Sequence, residues 1–203
     1  MTHKNGERFS AAKAYLTPNR GRPNLQVFTN SQATRILMER KRAVGVEFQQ
    51  DGQLKQLKAA REVLLCAGAL QSPQLLLLSG IGPHAHLLEQ GIATVHELPG
   101  VGQNLHDHVD VVLVVDAPQL KDLFGLSLGG MVRALKGIFE WRRQRSGMLT
   151  TNFAEAGGFI KSAPAQPLPD LQLHFVIGKL VNHGRTTVFG HGYSCHVCLL
   201  RPR

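Results

Sequence analysis

The sequence predicts a mixed fold, α/β with α+β character overall, and three observations carry that prediction. Apolar and polar residues alternate over 33–39, 43–49 and 54–59, with the turn signal Asp51-Gly52 before the last segment, as in antiparallel strands. A short apolar run at 62–66, suited to a strand buried on both faces, enters the small-residue turn Ala67-Gly68-Ala69 and then a helix signal at Ser72-Pro73. Beyond residue 108, three strand-like segments accompany one long amphipathic helix.

In chain order, residues 8–16 read as a short helix capped by Ser10 and ended by Pro18. Residues 25–29 alternate like a strand, ahead of the three already named. Ser72 caps a leucine-rich helix that Gly80 stops, because a serine oxygen satisfies a free amide and proline is tolerated in a first turn. A second short helix covers 83–90 and closes at Gly91, followed by a strand at 92–97 and a loop at 98–105. A clear strand spans 109–115. Residues 128–145 form the amphipathic helix, with Val132, Leu135, Ile138 and Phe139 on one side and Arg133, Lys136, Arg142 and Arg143 elsewhere. Its ordinary reading is a helix packed on a core with a solvated basic face; the alternative is a membrane-surface or partner-binding helix. Pro164, Pro167 and Pro169 mark a surface loop, and strands follow at 171–177 and 193–200.

A length of 203 residues with 43% hydrophobic content suits one large or two small domains. No apolar run approaches the roughly 20 residues that cross a bilayer, and the first residues lack the apolar core of a secretory signal. The net charge of +9 raises nucleic acid as a partner. Its basic residues are scattered, however, apart from Arg142, Arg143 and Arg145, and aromatics are few, so no nucleic-acid role is expected. Three cysteines without a leader fit a reducing, cytoplasmic location, with peripheral attachment to the inner membrane as the alternative.

Four motifs carry chemistry on first inspection. Cys195 and Cys198, with His183, His191 and His196 nearby, suggest zinc, but on a strand the two thiols point to opposite sides and cannot share a tetrahedral ion. Two reduced thiols are expected. The cluster His106-Asp107-His108-x-Asp110 has metal-ligand chemistry without a complementary cluster elsewhere, so a hydrogen-bonded turn beside a cleft is expected and no metal is assigned. Gly100-x-Gly102-x-x-Leu105 lacks the third glycine, the preceding strand and the following helix of a dinucleotide cradle. The fourth motif is residues 68–82, Gly-Ala-Leu-Gln-Ser-Pro-Gln-Leu-Leu-Leu-Leu-Ser-Gly-Ile-Gly.

That segment is similar to the second signature of the glucose–methanol–choline oxidoreductases. Further matches stand in order around it: Arg8-Phe-Ser-Ala-Ala-Lys-Ala-Tyr-Leu16, Arg42-Ala-Val-Gly-Val-Glu-Phe48, and Leu98 to His108. Residues 152–159 and 191–202 extend the likeness and resemble the choline-dehydrogenase-like branch.

The resemblance implies part of an FAD/NAD(P)-binding-type domain over 1–108 and part of an antiparallel-sheet substrate domain over 109–203. It implies FAD as cofactor and a small-molecule primary alcohol, choline-like or aliphatic, as substrate, oxidised by hydride transfer to the flavin. Carried over by position, main chain at Ala33 lies near the adenine, and Ala67, Gly68 and Ala69 lie against the cofactor. Glu155 matches a glutamate that contacts the substrate's quaternary ammonium. The family's glycine-rich fingerprint falls ahead of Met1 and its catalytic histidine motif beyond Arg203, so no catalytic residue is assigned and His106, His108 and His196 are not promoted. A chain inactive alone, with open sheet edges and a tendency to associate, is the expectation.

Overall fold

Asp51 and Gly52 both take positive φ, 52° and 75°, the pair of left-handed residues that joins twisted antiparallel strands most tightly. The computed structural model describes residues 3–186 and 188–202, with the side chain of His183 also outside the described set. In chain order the strands are β1 (His3–Lys4), β2 (Glu7–Arg8), β3 (Ser31–Glu39), β4 (Arg42–Gln50), β5 (Gln53–Lys58), β6 (Ile81–Gly82) and β7 (His96–Glu97), then β8 (Asp110–Asp116), β9 (Gly125–Leu126), β10 (Ala154–Ile160), β11 (Leu171–Val176) and β12 (Gly190–Leu199). The α-helices are α1 (Gly68–Leu78), α2 (His84–Glu89) and α3 (Leu128–Gln144). Helix and antiparallel sheet are thus mixed, as the sequence predicts. Two units form: a central one of Gln26–Leu105, and an outer one of the described residues up to Leu25 and from His106 onward.

In the central unit β3, β4 and β5 form an antiparallel meander. Its core gathers Ile36, Phe48, Leu75, Ile81, Leu87 and Val101. Helix α1 ends at the left-handed Gly80, and the chain returns through α2 to pair β6 with β7 in parallel.

Several local expectations change here. Residues 62–66 form no strand, and Leu64 is 75% exposed. A strand exists only where a neighbour takes its amides and carbonyls, and among the described residues no strand lies beside this one. The same holds for 25–29, and the strand expected at 92–97 shortens to His96–Glu97. Helix α1 begins at Gly68, ahead of Ser72, and contains Pro73. The Ser72 hydroxyl accepts the Ala67 amide at 3.1 Å, so it serves the preceding turn instead of capping a new helix. Residues 8–16 split into the end of β2 and a π turn over Ala12–Leu16; Pro18 sits inside the 3₁₀ turn Thr17–Asn19 that follows. Ser10 still accepts the Lys13 amide, at 3.3 Å.

The outer unit is built on an antiparallel sheet in the order β10-β11-β12-β8, with β9 pairing the start of β12. Cross-strand partners share a face. The register places Asp110, Gln172, His174, His196 and Cys198 on one face, and Val111, Leu113, Leu173, Phe175, Cys195 and Val197 on the other. Ser194 is fully buried; its hydroxyl donates to the Gly178 carbonyl at 3.0 Å and accepts the Leu180 amide at 2.7 Å, pinning the loop after β11.

Helix α3 packs through an unexpected side. Gly130, Ala134, Gly137 and Trp141 form a stripe at helical spacing. A Cβ on Gly137 meets Met148 Cγ at 2.9 Å, and Trp141 Nε1 donates to the Gly6 carbonyl at 2.7 Å. Val132, Leu135, Ile138 and Phe139 are exposed, Phe139 by 74%. Small residues allow the close approach that makes the contact, and the larger apolar side stays open. Ser127 caps the helix through the Gly130 amide, and left-handed Arg145 ends it.

Candidate functional site

Of the five residues expected at a site, four lie on the central unit. Ala33 is a half-buried residue of β3, at a register irregularity between Ala33 and Arg35. Ala67 precedes α1, Gly68 opens it with φ of 83°, and Ala69 follows in its first turn; all three are exposed. No side chain caps this helix start, and a Cβ built on Gly68 meets nothing within 4 Å. The first-turn amides lack helical partners and are flanked by the smallest side chains, so a planar or anionic group can approach main chain directly.

Glu155 lies on the outer unit, in β10, where the pairing with β11 shifts register between Ala154 and Ala156. Such irregularities re-aim a side chain out of the ladder. Its carboxylate is exposed and makes no hydrogen bond or ion pair among the described residues. Just before it, Trp141, Arg8, Asn152 and Phe153 help line a cleft of about 580 Å³. Trp141 is held there by Gly6 and by the Arg145 guanidinium, 4.1 Å from its ring centroid.

The cluster at His106 to Asp110 does not converge. The His108 amide donates to Asp107 Oδ1 at 2.8 Å and its Nδ1 meets the Leu199 carbonyl at 3.1 Å, which ties a turn to the end of β12. Asp110 belongs to β8, and its Oδ2 sits 2.6 Å from His196 Nδ1 while Cys198 Sγ donates to its Oδ1 at 3.5 Å. Burial first, and Asp110 second, push the Cys198 thiol up from its ordinary pKa. Cys195 and Cys198 take opposite faces of β12. Among the described residues no three His, Cys, Asp or Glu side chains gather as metal ligands.

Comparison with known proteins adds to this geometry. Residues 1–110 match the family described as GMC oxidoreductase. The chain belongs to the glucose–methanol–choline (GMC) oxidoreductase family. It is 44% identical over 205 residues to the alcohol dehydrogenase (acceptor) of Pseudomonas putida, covering 100% of this chain and 37% of that protein. It is 40% identical over 204 residues to the mitochondrial choline dehydrogenase of Homo sapiens, covering 99% of this chain and 34% of the relative. The chain therefore spans little more than a third of the length of these GMC relatives. A formate oxidase crystal structure superposes with a TM-score of 0.80 at 23% identity, over 98% of this chain and 39% of that one. Pyridoxine 4-oxidase from Mesorbium loti superposes with a TM-score of 0.71 at 24% identity, over 98% and 35%. The fold is shared with both.

Sequence reasoning missed residues that the fold makes important. Ser79 and Ser194 are buried hydroxyls bridging separate segments, and His191 is buried against Ser127, 2.8 Å from its hydroxyl. Lys179, with 8% of its side chain exposed, reaches Asp116 at 2.7 Å. These partners are far apart in sequence, so no local pattern announces them.

Proposed function

We propose that this chain is part of an FAD-dependent oxidoreductase that oxidises a primary alcohol. The observation that carries the reading is the 44% identity, over all of this chain and 37% of the relative, with an alcohol dehydrogenase. In this reading residues 1–108 contribute to the FAD-binding domain and 109–203 to the substrate domain. Ala33 offers main chain to the adenine, and Ala67, Gly68 and Ala69 let the cofactor approach the start of α1. The open Gly68 turn fits such a group. Bound flavin supplies the hydride acceptor.

Glu155 is the substrate contact in this proposal. A carboxylate beside a quaternary ammonium is favourable, and the same oxygens accept a hydrogen bond from an uncharged alcohol. Its exposure and its place at the β10 irregularity leave it available for either. No residue of this chain is given the role of catalytic base, and the chain alone is proposed to be inactive.

The test is a chimera in which these 203 residues replace the matching stretch of the Pseudomonas putida relative. It is expected to reduce an artificial electron acceptor when given a primary alcohol, whereas the chain alone does not. Glu155→Gln is expected to raise KM more for choline than for an aliphatic alcohol. A folded chimera inert toward every primary alcohol overturns the reading.

The open side of α3 supports a second reading, a surface that docks on a membrane or partner. Arg145 is committed to Glu7 and Trp141, which leaves Arg142 and Arg143 exposed beside Phe139. Liposome co-sedimentation lost in an Arg142→Gln, Arg143→Gln variant favours the membrane form of this reading; no sedimentation removes that form.

A further inference from the structure

The outer unit contains a cavity that the flavin reading does not use. It lies where the start of α3 meets β9 and the segment after β11, with a volume of about 360 Å³ and walls that include Phe124, Met131, Met148, Phe153 and Leu180. That volume is within the range of small-molecule sites. Phe124 and Phe153 stack in one wall with centroids 5.0 Å apart. Phe153 takes that place with φ of 68°, an unfavourable conformation for a bulky aromatic residue, and such strain is typical of binding sites. Polar contacts hold the helix start beside the cavity: the Ser127 hydroxyl accepts the Gly130 amide at 3.0 Å and meets His191 Nε2, whose Nδ1 meets the Leu123 carbonyl at 3.1 Å.

Arg133 lines the cavity with one nitrogen that is ion-paired but not hydrogen-bonded. Its Nη1 is buried and has no hydrogen-bond partner among the described residues. Asp122 Oδ1 approaches to 3.4 Å as an ion pair, without the geometry of a hydrogen bond, and Asp122 is itself fully exposed. Lys179, also in the wall, is by contrast satisfied by Asp116 and by the Phe189 carbonyl. The Arg133 side chain is 37% exposed, so it is not sealed from solvent, but an oxyanion in the cavity would give Nη1 the hydrogen-bond acceptor that Asp122 does not provide. The two cations in the wall disfavour a cationic guest.

We propose that this cavity binds an aliphatic chain with an anionic head, the head on Arg133 and the tail among Phe124, Met148 and Phe153. A free alkyl carboxylate and an anionic lipid share that chemistry. The test is isothermal titration calorimetry of the chain with octanoate, 1-octanol and octyltrimethylammonium. Octanoate is expected to bind about tenfold or more tightly than octanol, and the cation not at all. Arg133→Gln should weaken octanoate by about the same factor, Arg133→Lys should recover part of it, and Asp122→Asn should tighten it by removing the competing carboxylate. Sedimentation with phosphatidylglycerol but not phosphatidylcholine vesicles, lost in Arg133→Gln, identifies the source as lipid. Octanoate binding without vesicle binding identifies a soluble carboxylate. Equal affinity for octanol and octanoate, indifference to Arg133→Gln in a folded variant, or no octanoate binding by folded protein overturns the proposal.

Discussion

The Ser79 hydroxyl accepts the amide of Ile36 at 2.8 Å and donates to the Leu75 carbonyl at 2.6 Å, so one buried side chain joins the end of α1 to the middle of β3. Ser79→Ala leaves the Ile36 amide buried and unpaired, a cost of about 1–3 kcal/mol. Amide hydrogen exchange at Ile36 and its β4 neighbours should accelerate, with residues of β11 and β12 unchanged. Unaltered protection at Ile36 would show that the hydroxyl is dispensable.

Acid should loosen three surface contacts. Lys13, and then Arg145, hold the Glu7 carboxyl below its ordinary pKa. A hydrogen bond from Gln56 above all, with Arg35 and Thr34, does so for Glu47; the hydroxyl and amide of Ser162 do so for Asp170. A carboxyl depressed in the folded state contributes stability that is present above its unfolded pKa and lost as pH falls through the folded one. Thermal unfolding should therefore move to lower temperature from about pH 4 downward. Glu47→Gln should flatten that acid dependence, and a variant with the parent's full acid slope would contradict the assignment.

Two of the three thiols, Cys66 and Cys198, should differ in reactivity. Cys66 is exposed, whereas Cys198 is desolvated and faces Asp110, which together disfavour its thiolate. Iodoacetamide at mildly alkaline pH should alkylate Cys66 well before Cys198, as read by peptide mass spectrometry. Asp110→Asn should speed Cys198 only modestly, because burial is the larger cause. Equal rates at Cys66 and Cys198 would show that the strand opens readily.

The apolar face of the outer sheet is exposed, Val111 by 58% and Leu113 by 54% on the edge strand β8. Contiguous apolar surface beside an unpaired edge favours association. Sedimentation velocity of the chain should show mass rising with concentration, and Val111→Lys with Leu113→Glu should suppress it. A monodisperse parent protein at high concentration would contradict this.

These elements show what the sequence discloses. The β4–β5 hairpin was legible because Asp51-Gly52 and strict alternation specify it locally, and the stop at Gly80 was legible for the same reason. The start of α1 departs from the cap signal at Ser72-Pro73, because Gly68, free to take positive φ, lets the helix begin earlier. Residues 62–66 carry a strand pattern without a partner strand, and pairing is not a local property. For α3 the pattern of large residues pointed to Val132 and Leu135, while contact is made by Gly130, Ala134 and Gly137, which periodicity of large side chains ignores. The small-residue turn at 67–69 is visible in the sequence, but the Arg133 nitrogen that is ion-paired without a hydrogen bond depends on the tertiary approach of Asp122, which no local pattern encodes.

The most direct test of the cofactor reading is the flavin-to-protein ratio of the chimera, by absorbance after gel filtration, with Gly68 intact and as Gly68→Val. Valine is strained at φ of 83° and places a branched side chain where the cofactor is proposed to approach. The parent chimera should carry close to one flavin per chain, and the variant should lose most of it while keeping its circular dichroism spectrum. A Gly68→Val chimera that keeps its flavin, or a folded parent chimera without flavin, contradicts the claim that this turn lies against FAD.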